Sequence, residues 1–170
     1  MTRLKKLIFL SLLTALAIVV YAIEIQIPSL TSLPGIKMGL ANMVSLATLV
    51  LFGPKEAFTV LLLRIFLGSF ITGQVSALLF SLSGGVLSNV GMILLYLVSK
   101  KKINLWILSI SGALLHTIGQ LAIAMMIVKT PSLILYLPLL LLSSLISGYF
   151  IGLGTLFIVK HFKALLPSLH

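Results

Sequence analysis

"LWILSISGALLHTIGQLAIAMMIV", residues 105–128, runs for 24 residues without a lysine, arginine, aspartate or glutamate. A bilayer's hydrocarbon, about 30 Å thick, is crossed by roughly 20 apolar residues of α-helix, so this stretch reads as a membrane span. Working outward, the same pattern of apolar runs and breakers recurs along the chain. It predicts helix 1 over about Leu7–Ile23, an outer loop holding Pro28 and Pro34, and helix 2 over about Met38–Phe52, closed by Gly53-Pro54. Helix 3 follows over about Glu56–Ile71, and helix 4 runs from the Thr72-Gly73-Gln74 turn to about Ser99. After the Lys100-Lys101-Lys102 loop come helix 5, the opening stretch, and helix 6, from near Pro131 to near Val159. The expectation is an all-α integral membrane protein of six transmembrane helices, a single domain over residues 1–170.

Composition agrees with that class. Hydrophobic residues make up 60% of the chain and charged residues 8%, with a mean hydropathy of +1.28, more apolar surface than a water-soluble core hides. With no cysteine, disulfides, thiolate metal sites and cysteine-ligated iron–sulfur clusters are excluded. No cofactor is expected.

The net charge of +10 raises the question of nucleic acid, but the positions of the basic residues answer it differently. Arg3, Lys5, Lys6, Lys55, Lys100, Lys101, Lys102, Lys160 and Lys163 fall on one side of the predicted bundle, and Lys37 and Lys129 on the other. That is the asymmetry of a positive-inside membrane protein, with both termini cytoplasmic and no nucleic-acid partner. A basic start followed by an apolar run and Ala15-Leu16-Ala17 also resembles a signal peptide. Removing it would leave an odd number of spans and break the charge sorting, so the segment is read as helix 1.

Arg64, in "LLLRIFLGS" (61–69), is the residue least suited to this environment. It lies mid-helix, about 12 Å from either end at 1.5 Å per residue, where a guanidinium costs roughly 2.5–3.5 kcal/mol to insert. The only side-chain carboxylates are Glu24, where helix 1 meets the outer surface, and Glu56, two turns away at the cytoplasmic end. Two roles fit: Arg64 ties Glu24 or backbone carbonyls, or it binds an anionic ligand.

Polar and small residues fall on helical stripes: Gly39, Asn42 and Ser45; Ser81, Gly85, Ser88 and Asn89; Ser109, Gly112, His116, Gly119 and Gln120. Close helix packing accounts for Ser and Gly at such positions. Asn42, His116 and Gln120 bring hydrogen-bonding capacity that hydrocarbon leaves unmet, so each needs a partner. Ser144, Gly148 and Gly152 form a further small-residue ridge, for a neighbouring helix or another subunit. In "LPGIKMGLAN" (33–42), Lys37 follows a Pro34-Gly35 turn at the start of helix 2. It reads either as an interfacial lysine snorkelling to headgroups or, beside a helix N-terminus, as part of an anion site.

The segments "PGIKMGLAN", "LLRIFLGS", "SLSGG" and "HTIGQL", in this order on a six-helix chain, resemble the Gx transporter family, also labelled heptaprenyl diphosphate synthase component I. The resemblance runs from about Glu24 to Gly154. It implies a fold similar to the substrate-binding S components of energy-coupling factor transporters, with a site near the outer face under the first long loop. Glu24, Lys37, Asn42, Arg64, His116 and Gln120 fall within or beside its motifs. One departure concerns the Ala-x-x-x-Ala docking pattern of S components, for which helix 1 offers only Ser11-Leu-Leu-Thr-Ala15.

Prenyl elongation requires aspartate-rich clusters to hold Mg²⁺ on a diphosphate. This chain has no aspartate, so the expectation is a non-enzyme. Nor is there a G-x-x-x-x-G-K-[ST] loop, so active transport needs an energising module or an ion gradient. Two functions follow. One is a membrane-embedded component that binds or transports a small anionic or amphipathic solute linked to isoprenoid or quinone supply. In it Lys37 and Arg64 form one outward-opening anion site, Asn42 orients the ligand, and His116 and Gln120 line the wall. The other is a non-transporting scaffold of a redox or quinone-biosynthesis complex, with an extracytoplasmic partner subunit. The lipid bilayer is a partner in both.

The charge sorting makes a direct prediction. A single cysteine at position 101 should be protected from an impermeant thiol reagent in intact cells and react after permeabilisation; labelling in intact cells would overturn the six-span arrangement.

Overall fold

The structure, a computed structural model, describes residues 2–26, 39–73 and 76–165. All regular elements among them are helical: α1 (Arg3–Gln26), α2 (Asn42–Phe52), α3 (Pro54–Ile71), α4 (Ser76–Val98), α5 (Leu105–Val128) and α6 (Leu137–Leu165), with a 3-10 turn at Pro131–Tyr136. The breaks fall where the backbone demands them. Gly53 adopts φ +107°, its N–H bonds back to Thr48 and Leu49, and Pro54 opens α3 at a position where no N–H is required. At the far end of α5, Lys129 takes a left-handed conformation (φ 53°) before Pro131 starts the 3-10 turn.

Four helical stretches are long and apolar enough to cross a membrane: α1, α4, α5 and the run Pro131–Ala164 that joins the 3-10 turn to α6. The remaining two are shorter than six equal spans would require. With 11 residues, α2 is about 16 Å long, and α3, with 18 residues, is about 27 Å long and carries Lys55, Glu56 and Arg64. Helix 2 was expected to start near Met38, which lies outside the described residues. It starts at Asn42 because Gly39 adopts φ +78° and the carbonyls of Gly39, Leu40 and Ala41 are used in a tight turn, accepting from Asn42, Met43 and Val44 at 2.9, 3.0 and 3.3 Å.

Close approach of backbones holds α4, α5 and α6 together. A Cβ on Gly119 would stand 2.8 Å from the Ser83 carbonyl oxygen and 2.9 Å from Gly84 Cα, so these helices touch at backbone distance there. Ser83 Oγ donates to the Gly119 carbonyl at 2.8 Å across the same contact. The Ser144, Gly148 and Gly152 ridge faces α5 rather than another subunit. Cβ atoms on the two glycines would lie 2.8 Å from Ile110 Cα and 2.7 Å from Trp106 Cα, and Ser144 shares a hydrogen bond with Thr117. Small residues let dispersion contacts act where lipid supplies no hydrophobic drive for helix association.

The packing also sorts the helix ends. Leu46, Leu49 and Ala57 pack with Met92, Tyr96 and Leu108. Lys6 pairs with Glu56, and Phe9 meets Phe162 edge-on at 6.0 Å between centroids. The starts of α1, α3 and α5 and the ends of α2, α4 and α6 therefore gather at one end of the bundle, together with Arg3, Lys5, Lys6, Lys55, Lys100–Lys102, Lys160 and Lys163. Lys129 lies at the other, near the cluster of Leu121, Ala124, Leu133 and Leu140. Large apolar side chains such as Phe70, Val98, Leu135 and Phe157 are exposed on the outer wall, as a lipid-facing surface requires.

The glycine contacts discriminate between two substitutions of identical chemistry. Gly119→Ala drives a methyl into backbone and should cost about 2 kcal/mol, within the usual overpacking range. Gly91→Ala meets only the end of the Leu115 side chain, which can rotate away, and should cost much less. Unfolding in mixed detergent micelles measures both; equal losses would show that the α4–α5 contact is not the rigid one.

Candidate functional site

Arg64 sits mid-way along α3 and is 2% exposed. The helix aims its side chain between α2 and α4, and Nη2 lies at contact distance from Gly85, 3.6 Å from where a Cβ would stand. Nη2 donates to Asn42 Oδ1 at 2.7 Å, and Asn42 Nδ2 lies 3.1 Å from His116 Nδ1. The three side chains form a continuous buried chain linking α3, α2 and α5, since Asn42 and His116 are 6% and 3% exposed.

Hydrogen-bond logic fixes the roles in this chain. A guanidinium only donates, so the oxygen of the Asn42 amide must face Arg64 and its NH₂ must face the imidazole. His116 Nδ1 accepts from that NH₂ in the neutral tautomer that carries its proton on Nε2. The Nε2 edge lies against Gly39, where a Cβ would stand 3.2 Å from Nε2 and 3.1 Å from Asn42 Nδ2. Glycine is needed at position 39 twice over, for its positive φ and for this lack of room.

Glu24, at the end of α1, accepts a hydrogen bond from the Gly39 N–H, which ties α1 to the turn that launches α2. No direct ion pair joins it to Arg64 among the described residues. Among the described residues Lys6–Glu56 is the one ion pair. Arg64 is therefore a buried cation with a neutral hydrogen-bond partner, a carboxylate at second remove, and an Nε without a hydrogen-bond partner. Burying such a charge costs several kcal/mol unless it is matched.

Of the six residues singled out from sequence, the structure joins Asn42, Arg64 and His116 directly and brings in Glu24 through Gly39. Gln120, one helical turn beyond His116, is buried against Gly84, whose added Cβ would be 2.9 Å from Gln120 Cγ. Lys37 lies outside the described residues. Sequence reasoning did not assign Gly39 its part as the link between Glu24 and α2. It also passed over Tyr21, buried three residues before Glu24 on the same face of α1 and packed against α3, where a Cβ on Gly68 would stand 2.9 Å from its ring. That spacing was the available signal. Deeper in the bundle, a cavity of about 10 Å³ is bordered by Asn42, Ser88, Ser109 and Gly112. The hydroxyls of Ser88 and Ser109 lack hydrogen-bond partners, and the cavity has room for about one water-sized sphere. No group of three His, Cys, Asp or Glu side chains that could hold a metal ion occurs among the described residues.

A family model described as heptaprenyl diphosphate synthase component I matches residues 13–158, and the chain belongs to that family. Neither the curated proteins nor the solved structures contain a match to the chain.

The chain of roles predicts an order of severity at position 42. Asn42→Leu strands a charged donor and an imidazole acceptor in the interior and should cost about 3 kcal/mol. Asn42→Asp loses the donor to His116 but gives Arg64 a carboxylate, and His116 can move its proton to Nδ1, so it should cost less. Chemical unfolding in detergent ranks the two; a leucine variant as stable as the parent would remove the chain's structural importance.

Proposed function

We propose that this member of the heptaprenyl diphosphate synthase component I family is a membrane-embedded binding component for a small anionic or amphipathic solute, with Arg64 as the counter-charge the ligand meets. The observation that carries this reading is the state of Arg64: buried, hydrogen-bonded to a neutral amide and, among the described residues, without a direct carboxylate partner and with Nε unsatisfied. Nε and Nη2 form one edge of the guanidinium fork, the edge that takes carboxylate or phosphate oxygens in pairs. In this reading Asn42 holds the fork in place, His116 and Gln120 border it, and Lys37, outside the described residues, supplies a second cation. In this reading the chain is one transmembrane unit over residues 1–170. Its N-terminus, the Lys100–Lys102 loop and its C-terminus face the cytoplasm of the cell membrane, as the basic end of the bundle favours. An energising partner or an ion gradient drives any net transport.

A second reading is favoured by a different observation. The small volume beside Asn42 and the closed seams among α4, α5 and α6 suit a scaffold, and the family description names one component of a larger synthase. In that case the chain anchors a catalytic subunit of a prenyl diphosphate or quinone-biosynthesis complex to the membrane, and Arg64 serves the fold alone. Catalysis by this chain is not part of either reading, since it has no aspartate to hold Mg²⁺ on a diphosphate.

Thermal stabilisation of the purified protein by farnesyl diphosphate and by short-chain carboxylates separates the two. Binding should be abolished by Arg64→Gln with the helical content retained, and weakened less by Lys37→Gln. If Arg64→Gln unfolds the protein and adding Glu24→Gln restores it, the arginine is a structural charge and the binding reading loses its central residue.

A further inference from the structure

At the basic end of the bundle, a groove of about 310 Å³ between the starts of α1 and α3 is lined by residues that do not include Arg64. Arg3, Lys6, Lys55 and Glu56 stand at its walls with Leu7 and Leu10. Glu56 is taken by Lys6, so Arg3 and Lys55 remain as two cations without an ion-pair partner among the described residues. The groove is graded along α1. Its charge sits at Arg3 and its apolar wall continues to Leu10, seven residues or about 10 Å further along the helix. Leu4, Leu7 and Ile8 nearby are 69%, 61% and 57% exposed, so the apolar part opens onto the lipid-facing side of α1.

We infer that this groove is a binding site for an anionic phospholipid, with the phosphate between Arg3 and Lys55 and the start of an acyl chain against Leu7 and Leu10. The volume falls within the roughly 300–1,000 Å³ typical of small-molecule sites. Two unmatched cations at one rim select an anion, and basic pockets between membrane helices recognise anionic headgroups. A free phosphate would use only the rim. The apolar wall behind it is what distinguishes a lipid from the inorganic ion. The Lys6–Glu56 pair contributes by fixing α1 against α3, which sets the width of the mouth.

Native mass spectrometry of the full chain in detergent, titrated with dioleoyl phosphatidylglycerol or dioleoyl phosphatidylcholine, tests the inference. The protein should retain the anionic lipid preferentially, and excess inorganic phosphate should not strip it. Arg3→Gln with Lys55→Gln should weaken retention by about 30-fold, from about 1 kcal/mol for each basic residue lost. Arg3→Lys with Lys55→Arg should hold it within about twofold of the parent, and Leu7→Ser should weaken the lipid without altering any phosphate binding. Lys100→Gln with Lys101→Gln, in a loop that does not border the groove, serves as the control for general attraction. Equal retention of the two lipids overturns the site, as does equal loss in the two double-glutamine variants or displacement by inorganic phosphate. Each of those outcomes leaves the Arg64 reading untouched, because the two sites share no residue.

Discussion

A guanidinium buried in the middle of a helix bundle constrains everything around it. Arg64 cannot shed its charge in a protein and cannot reach water from its position on α3, so neighbouring elements must present oxygen to it. Asn42 does so, which requires α2 to begin at the level of Arg64. Gly39 must then turn sharply just before it, and Glu24 must hold that turn from α1. Three helices thus have their relative heights set by one cation, and His116 extends the constraint to a fourth through the amide of Asn42.

Much of this was legible from the chain, for physical reasons that differ by element. The long helices α1, α4, α5 and α6 are continuous apolar runs, and a continuous apolar run in this composition has one stable solution. The polar stripes came out on buried faces because a 3.6-residue period places them there whatever their partners are: Ser81, Ser88 and Asn89 on α4, Ser109, His116 and Gln120 on α5. Arg64 announced itself by cost alone.

What stayed hidden depended on contacts between residues far apart or on backbone conformation. Nothing local in "KMGLAN" says whether Gly39 continues the helix or breaks it; the left-handed φ and the nearness of His116 decide, and His116 is 77 positions away. The destination of the Gly148–Gly152 ridge was ambiguous for the same reason, since small residues advertise close approach without saying to what. Glu24 was recognised as one of two carboxylates, but its hydrogen bond goes to a backbone N–H, a donor every non-proline residue carries and no motif marks.

The shortness of α2 has an electrostatic consequence. A helix of about 16 Å that ends with the basic residues at one face of the bundle must begin near the middle of a 30 Å hydrocarbon layer. Its aligned peptide dipoles therefore place about half a positive charge in the interior, beside the guanidinium. Among the described residues the carboxylate of Glu24 alone stands against these two sources, which leaves them positive by about half a charge. In a low-dielectric surrounding such an excess repels hydrated metal ions and hydronium. A second cation beside Arg64 is therefore disfavoured by the same charge balance that the fold has to satisfy.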